Sequence, residues 1–340
     1  MIRLRDVELP QVVQSPMANC TDLAFRLIAR SCGMRFAFLE MVAAETLVRH
    51  NAETIARMRT TTDDQPCGAQ LMGCRPEVMA EAARRVEAMG FTVVDINLGC
   101  PVPKVTGHGG GSQLLREPST VERIFRAVVH AVTRIPVTVK VRLGYSDATG
   151  GEAVTIARIA EACGLSAVAV HGRTREQGYT GRADYEAIGR VKAAVSIPVF
   201  GNGDVTDAAS ALRLRRISGC DGIMVGRGAL GNPWLYRHIE AALSSETPPP
   251  APTPRERKQL LLRHVELMER FEERPVGPLR RVISWYFRET AGVNEFRAAI
   301  NQAQTVLEMR ELIHAFIPTS QEPAAAACCI SPRALPDGIA

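Results

Sequence analysis

The chain has 340 residues, 46% of them hydrophobic and 23% charged, with a formal net charge of +5 and a pI near 8.8. This is enough for one large domain, or a large one with a small one attached, in an ordinary globular protein. Aromatics at 5% exclude base-stacking platforms as the main binding device, and the mild positive charge permits a polyanionic partner without requiring one.

The first ten residues are charged and carry no apolar core of signal-peptide length, and no apolar run reaches the length of a membrane helix. Nine scattered cysteines with no CxxC pair give no zinc ribbon or redox motif and indicate reduced thiols. A soluble, cytoplasmic protein is expected, a monomer with no metal and no membrane partner.

From residue 12 to residue 243, short apolar runs alternate with amphipathic segments. Buried strands are expected over 12–15, 36–40, 68–72, 93–97, 137–141, 167–170, 198–200 and 222–225. The spacing predicts helices over 76–89 (stopped by Gly90), 119–133 (capped by its own first residue), 152–163, 183–194 and 207–217. Eight strand–helix units in this length match a (β/α)8 TIM barrel; a doubly wound open sheet is the competing α/β arrangement. The expected barrel domain is 1–245.

The segment 246–254 (ETPPPAPTP) reads as a stiff linker. Beyond it, helices around 260–268 and over 279–289, 294–303 and 305–316 suggest a small all-α bundle within 255–318. Arg255, Arg257, Arg263, Arg270, Arg280, Arg281, Arg288 and Arg297 stud it. They form either solvated faces balanced by glutamates or a nucleic-acid surface. Residues 319–340, with Cys328 and Cys329, read as a disordered tail.

Barrel enzymes place their chemistry at the C-terminal strand ends. There the chain has Ser15-Pro16-Met17-Ala18, Gln70, Asn97 with Gly99-Cys100-Pro101, Lys140 and Arg142, His171 with Arg173, Asn202-Gly203-Asp204, and Gly226-Arg227. A lysine inside an apolar strand needs an anion, a ring heteroatom or a salt bridge within the barrel. Gln70 and His171 at equivalent depth favour a ligand. The glycine-rich ends of strands 7 and 8 suit a phosphate. The GxGxxG match at 226–231 has no room after it for a dinucleotide fold. Cys100 is the candidate catalytic acid, because its ordinary pKa leaves the thiol protonated at neutral pH. The other cysteines are read as inert.

These segments, with Thr21-Asp22, Ala69-Gln70-Leu71, the run DINLGCP at 95–101, VKVRLG at 139–144, HGRTREQGY at 171–179, Gly226-Arg227-Gly228-Ala229 and Ser284-Trp285-Tyr286, resemble the tRNA-dihydrouridine synthases, particularly their bacterial B-type branch. The resemblance implies FMN held by Pro16, Met17 and Ala18, by Gln70, Lys140 and His171 at the ring, and by Asn202, Gly203, Asp204, Gly226 and Arg227 at the phosphate. It implies NADPH or NADH as reductant, a D-loop uridine of tRNA as substrate with position 17 favoured, Cys100 as proton donor, and Asn97, Arg142 and Arg173 as substrate-binding residues. It also implies that the helical region grips tRNA. Asn19-Cys20 departs from the family pattern; asparagine tolerates a left-handed turn, and Cys20 places a second thiol near the mouth. The competing functions are a flavin barrel acting on a free small molecule, a Schiff-base lyase using Lys140, and a non-catalytic RNA-binding protein.

Overall fold

In a computed structural model, which describes residues 1–287 and 290–316, the expected strands close into a ring. An antiparallel hairpin, β1 (Ile2–Leu4) and β2 (Val7–Leu9), comes first. The first barrel strand, β3 (Val12–Gln14), leads to α1 (Leu23–Ser31). The second is split into β4 (Ala37–Phe38) and β5 (Val42–Ala43), followed by α2 (Ala44–Val48) and α3 (Ala52–Arg57). Then come β6 (Cys67–Met72), α4 (Pro76–Ala88), β7 (Val93–Leu98), α5 (Pro103–Thr106), α6 (Pro118–Ala131), β8 (Val137–Arg142) and α7 (Gly151–Ala162). The barrel is completed by β9 (Ala167–His171), α8 (Tyr185–Ala194), β10 (Val199–Asn202), α9 (Ala208–Ser218), β11 (Gly222–Val225) and α10 (Leu235–Leu243). All ring pairings are parallel, and β4 against β6 closes the circle through Ala37↔Cys67 and Phe38↔Gly68. This is the TIM-barrel arrangement; an open doubly wound sheet would leave two edges.

The strands obey a period of two. On β7, Val94, Ile96 and Leu98 join the apolar layer beneath the helices, while Val93 faces the lumen with Asp95 and Asn97 above it. The lower lumen is filled by Phe36, Phe38, Val93, Phe200 and Met224, and Ile2, Leu4 and Leu9 of the hairpin pack on them. Glycine makes the room: a Cβ on Gly68 or Gly222 would stand 2.7 or 2.5 Å from the ring of Phe38 or Phe200. The barrel floor is therefore dry and packed, and polar side chains collect only at the upper end.

Several expected boundaries move. The seventh strand extends to Asn202 rather than stopping at 200, because Gly201 and Asn202 still pair with β9 and β11. The helix expected from 119 starts at Pro118, which occupies the first turn where no N–H is needed. Ser119 is therefore not its cap. Asp184 caps α8, so that helix begins at Tyr185 rather than 183. Gly90 does stop its helix, in the left-handed conformation.

Four helices follow, α11 (Pro254–Phe271), α12 (Val276–Tyr286), α13 (Val293–Gln302) and α14 (Val306–Ala315). Pro254 begins α11, behind a Thr253–Glu256 capping box, instead of ending the linker. The helices share one apolar core with the barrel's outer layer. Trp285 meets Phe25 of α1 edge-on with centroids 6.3 Å apart. A Cβ on Gly231 would lie 2.0 Å from the Trp285 carbonyl oxygen, so the two backbones touch. Arg257 donates to the Gly231 carbonyl at 3.3 Å.

Of the arginines singled out there, none among the described residues makes an ion pair. Arg280 and Arg297 donate to the Ala303 and Ser284 carbonyls. Balancing glutamates are instead met by Arg310, which pairs with Glu266 and Glu269. Arg288, the 319–340 tail and its two cysteines lie outside the described residues. No described helix is long and apolar enough to cross a membrane.

Candidate active site

The period of two turns Gln70, Asp95, Asn97, Thr138, Lys140, Arg142, His171 and Asn202 into the same upper lumen, where all are buried. Thr138 Oγ1 donates to Asp95 Oδ1 at 2.6 Å, and Gln70 Nε2 donates to Asp95 Oδ2 at 2.7 Å. Asn97 Nδ2 donates to Gln70 Oε1 at 2.7 Å. Asn97 Oδ1 then accepts from the backbone N–H groups of Gly99 and Cys100 at 3.1 and 2.9 Å. The turn carrying Cys100 thus hangs from a chain of side chains rooted inside the barrel.

The Cys100 carbonyl accepts from both the N–H and the hydroxyl of Ser112 at 3.0 Å, which ties the far side of the loop. Cys100 is 7% exposed; burial raises its thiol pKa, opposed by the Val102 N–H and then by Arg142 and Lys140, so it stays protonated at neutral pH. Cys20, the second thiol on this stretch, is buried in the apolar core and pushed up to about 12 by desolvation. Asn19 takes the left-handed conformation with φ 58°, as its residue type allows.

Lys140 Nζ reaches Asn202 Oδ1 at 3.2 Å and, among the described residues, no carboxylate. Burial, then Arg142, lowers it to about 8, with Asp95 opposing. His171 is pushed well below its ordinary pKa by burial and by Arg142, Lys140, Arg173 and Arg227, so its ring is neutral. Arg142 donates to the carbonyls of Gly99, Thr174 and Gly178 at 2.7–2.8 Å through Nε and Nη1, leaving Nη2 without a backbone partner.

Arg173, expected to meet substrate, has its own partners within the protein. It pairs with Asp204 at 2.8 Å and donates to the Thr180 and Gly181 carbonyls. Asp204 Oδ2 also accepts from Ala183 N at 2.8 Å, so the pair staples the loop after β9 to the end of β10. That loop presents Tyr179, 39% exposed, with Arg227 4.3 Å and Arg142 5.3 Å from its ring centre and His171 at 6.3 Å. Tyr179, Asp95 and Thr138 are the residues that sequence reasoning passed over. Tyr179 and Asp95 stood inside quoted segments without a role. The reasoning applied to Lys140, a charge in an apolar strand, would have found Asp95.

Gly226 opens a cradle between strands: a Cβ there would point at Met17 Sδ (3.6 Å), Ser15 Cβ (3.9 Å) and Asn202 Nδ2 (4.0 Å). Thr21 Oγ1 bridges the N–H and carbonyl of Met17, holding the 16–18 backbone at this rim. The buried Arg26–Asp64 pair at 2.8 Å anchors the same loop, since Arg26 also donates to the Thr21 carbonyl. A flat ring with mixed donors and acceptors and an anionic tail fits this set. Gln70 keeps one amide hydrogen and one lone pair unused, Lys140 offers a cation, His171 a neutral ring, and Arg227 stands by the cradle.

A family model described as dihydrouridine synthase matches residues 13–321. A protein of Rickettsia conorii named a probable tRNA-dihydrouridine synthase is 39% identical over 326 residues, 95% of this chain and 98% of its own length. The tRNA-dihydrouridine synthase B of Pseudomonas aeruginosa is 39% identical over 308 residues, covering 89% and 92%. Among solved structures, histamine dehydrogenase from Rhizobium sp. 4-9 superposes with TM-score 0.55 at 14% identity, over 70% of this chain and 47% of that one, a likeness of fold.

Proposed function

Because this chain belongs to the dihydrouridine synthase family, we propose that it reduces the C5–C6 double bond of a D-loop uridine in tRNA, with position 17 the favoured target. It is an oxidoreductase of that family. The observation that carries the reading is the buried Cys100, held on a braced turn at the polar end of the lumen that Lys140 and Arg142 share.

Pro16, Met17 and Ala18 line one side of an FMN site; Gln70, Lys140 and neutral His171 meet the ring; Asn202, Gly203, the Asp204 backbone, Gly226 and Arg227 hold the phosphate. FMN held by these residues and reduced by NADPH or NADH would supply hydride chemistry at C6 of the uracil. Lys140 keeps a positive charge beside the ring edge where negative charge gathers. Cys100 delivers the proton to C5, and its raised pKa keeps that proton in place until the carbon becomes basic. Arg142 meets the base through Nη2, which has no backbone partner. Asn97 and Arg173 serve mainly to hold the Cys100 turn and the Tyr179 loop, since their polar atoms already have those partners. Tyr179 offers the extruded base an aromatic face at the mouth; extrusion is required because ring chemistry cannot occur inside a stack.

The test is anaerobic flavin spectroscopy. The reading expects a yellow protein whose flavin, reduced by NADPH, is rapidly reoxidised by tRNA lacking dihydrouridine and not by free uridine. Cys100→Ala should lower that rate by about 10²–10⁴-fold with flavin retained. A yellow protein indifferent to tRNA would make it a small-molecule reductase, and a protein unable to take up FMN would sink the cofactor assignment.

A further inference from the structure

We propose that Asp95 is a positioning residue for Cys100, acting through Gln70 and Asn97. The inference rests on Cys100 being the acid. An amide side chain can turn end for end at little cost, so a chain of amides has no fixed direction by itself. Two turned amides would present Asn97 Nδ2, a donor, to the Gly99 and Cys100 N–H groups, and the turn would lose both bonds.

Asp95 sets the direction. An ionised carboxylate only accepts, so Gln70 must offer Nε2 to it and Oε1 to the other side. Asn97 must then offer Nδ2 to Gln70, which leaves Oδ1 facing the two N–H groups of the cysteine turn. Thr138 occupies the second carboxylate oxygen, and Asp95 is 1% exposed, so no water competes for its place. Burial lifts Asp95 to about 6, opposed by Thr138, Gln70 and Lys140, so it is mainly ionised at neutral pH. The same order leaves Gln70 a defined pair of spare valences toward the ring site.

The experiment is iodoacetamide labelling of Cys100 in the full-length, flavin-bound protein, read by peptide mass spectrometry with Cys74 as internal control. Asp95→Leu should speed Cys100 labelling about three- to tenfold, the order expected when a turn loses one net hydrogen bond. It should slow tRNA-driven flavin reoxidation about tenfold while the KM for tRNA stays within about twofold. A thiol that reacts faster yet works worse is the signature of lost positioning. Asp95→Asn keeps the shape but puts a third reversible amide where the accept-only carboxylate stood, so it should shift both assays in the same direction as Asp95→Leu by a smaller factor.

Unchanged Cys100 labelling in Asp95→Leu, or Asp95→Asn behaving like the parent, overturns the proposal. If Asp95→Leu does not fold, Thr138→Val carries the test, because it frees the carboxylate to swing from Gln70. Faster Cys100 labelling then supports the relay, and an unchanged rate overturns it. Labelling is scored without tRNA. A parent protein whose reduced flavin ignores tRNA would therefore overturn the functional reading while the labelling result stands on its own.

Discussion

Lys140→Met removes a buried ammonium that hydrogen-bonds to Asn202 Oδ1 at 3.2 Å. Burial and Arg142 carry that ammonium from 10.5 down to about 8 in the folded chain. Some two and a half units correspond to about 3 kcal/mol of instability. The folded pKa lies below the unfolded one, so this cost is present in full below about pH 8 and fades as the pH climbs toward 10.5. Methionine leaves Asn202 Oδ1 without its donor, a loss of about 1 kcal/mol, while the attraction to Asp95 is already contained in the net shift. The variant should therefore be about 1–2 kcal/mol more stable than the parent at pH 7, a rise in Tm of a few degrees, and should lose tRNA-driven flavin reoxidation. Thermal unfolding of cofactor-free protein at pH 7 and pH 10 measures it, with the advantage closing or reversing at pH 10. A variant less stable than the parent at pH 7, or a gap indifferent to pH, would refute the view that the barrel holds this cation at a cost for its function.

Gly226→Val should empty the flavin site without unfolding the barrel, since the added methyls enter the space bounded by Met17, Ser15 and Asn202; flavin content should fall while Tm stays within a degree or two. Arg173→Met leaves Asp204 and two loop carbonyls without their donor and should cost about 3 kcal/mol, read as a lower Tm and faster protease cutting near Gly178 and Gly181. Removing residues 250–340 should aggregate the barrel instead of leaving a soluble flavoprotein, because it uncovers Phe25 and the outer apolar layer that α11 and α12 cover; a monodisperse, flavin-loaded truncation would contradict the shared core.

The order of strands and helices was legible in the chain because both periods are local. Val94, Ile96 and Leu98 alternate with Asp95 and Asn97 within one strand, and no distant residue is needed to see it. The polar strand ends at Gln70, Lys140, His171 and Asn202 were legible for the same reason, as charges or amides set among valines. Boundaries failed where a cap or a Pro at the first turn decided them, as at Pro118 and Asp184. Which polar group meets which was closed to sequence reasoning. Asp95 meets Gln70 and Thr138 across 25 and 43 residues, and Arg173 meets Asp204 across 31. Only strand register and barrel closure bring these groups within hydrogen-bond reach. Once they are together, donor and acceptor polarity sets the partners, Asp204 for Arg173 and the N–H groups of the cysteine turn for Asn97. The sequence by itself determined the elements, the lumen side of each strand and the residue types at the mouth; the tertiary structure decided their pairings, because hydrogen bonds are satisfied between neighbours in space.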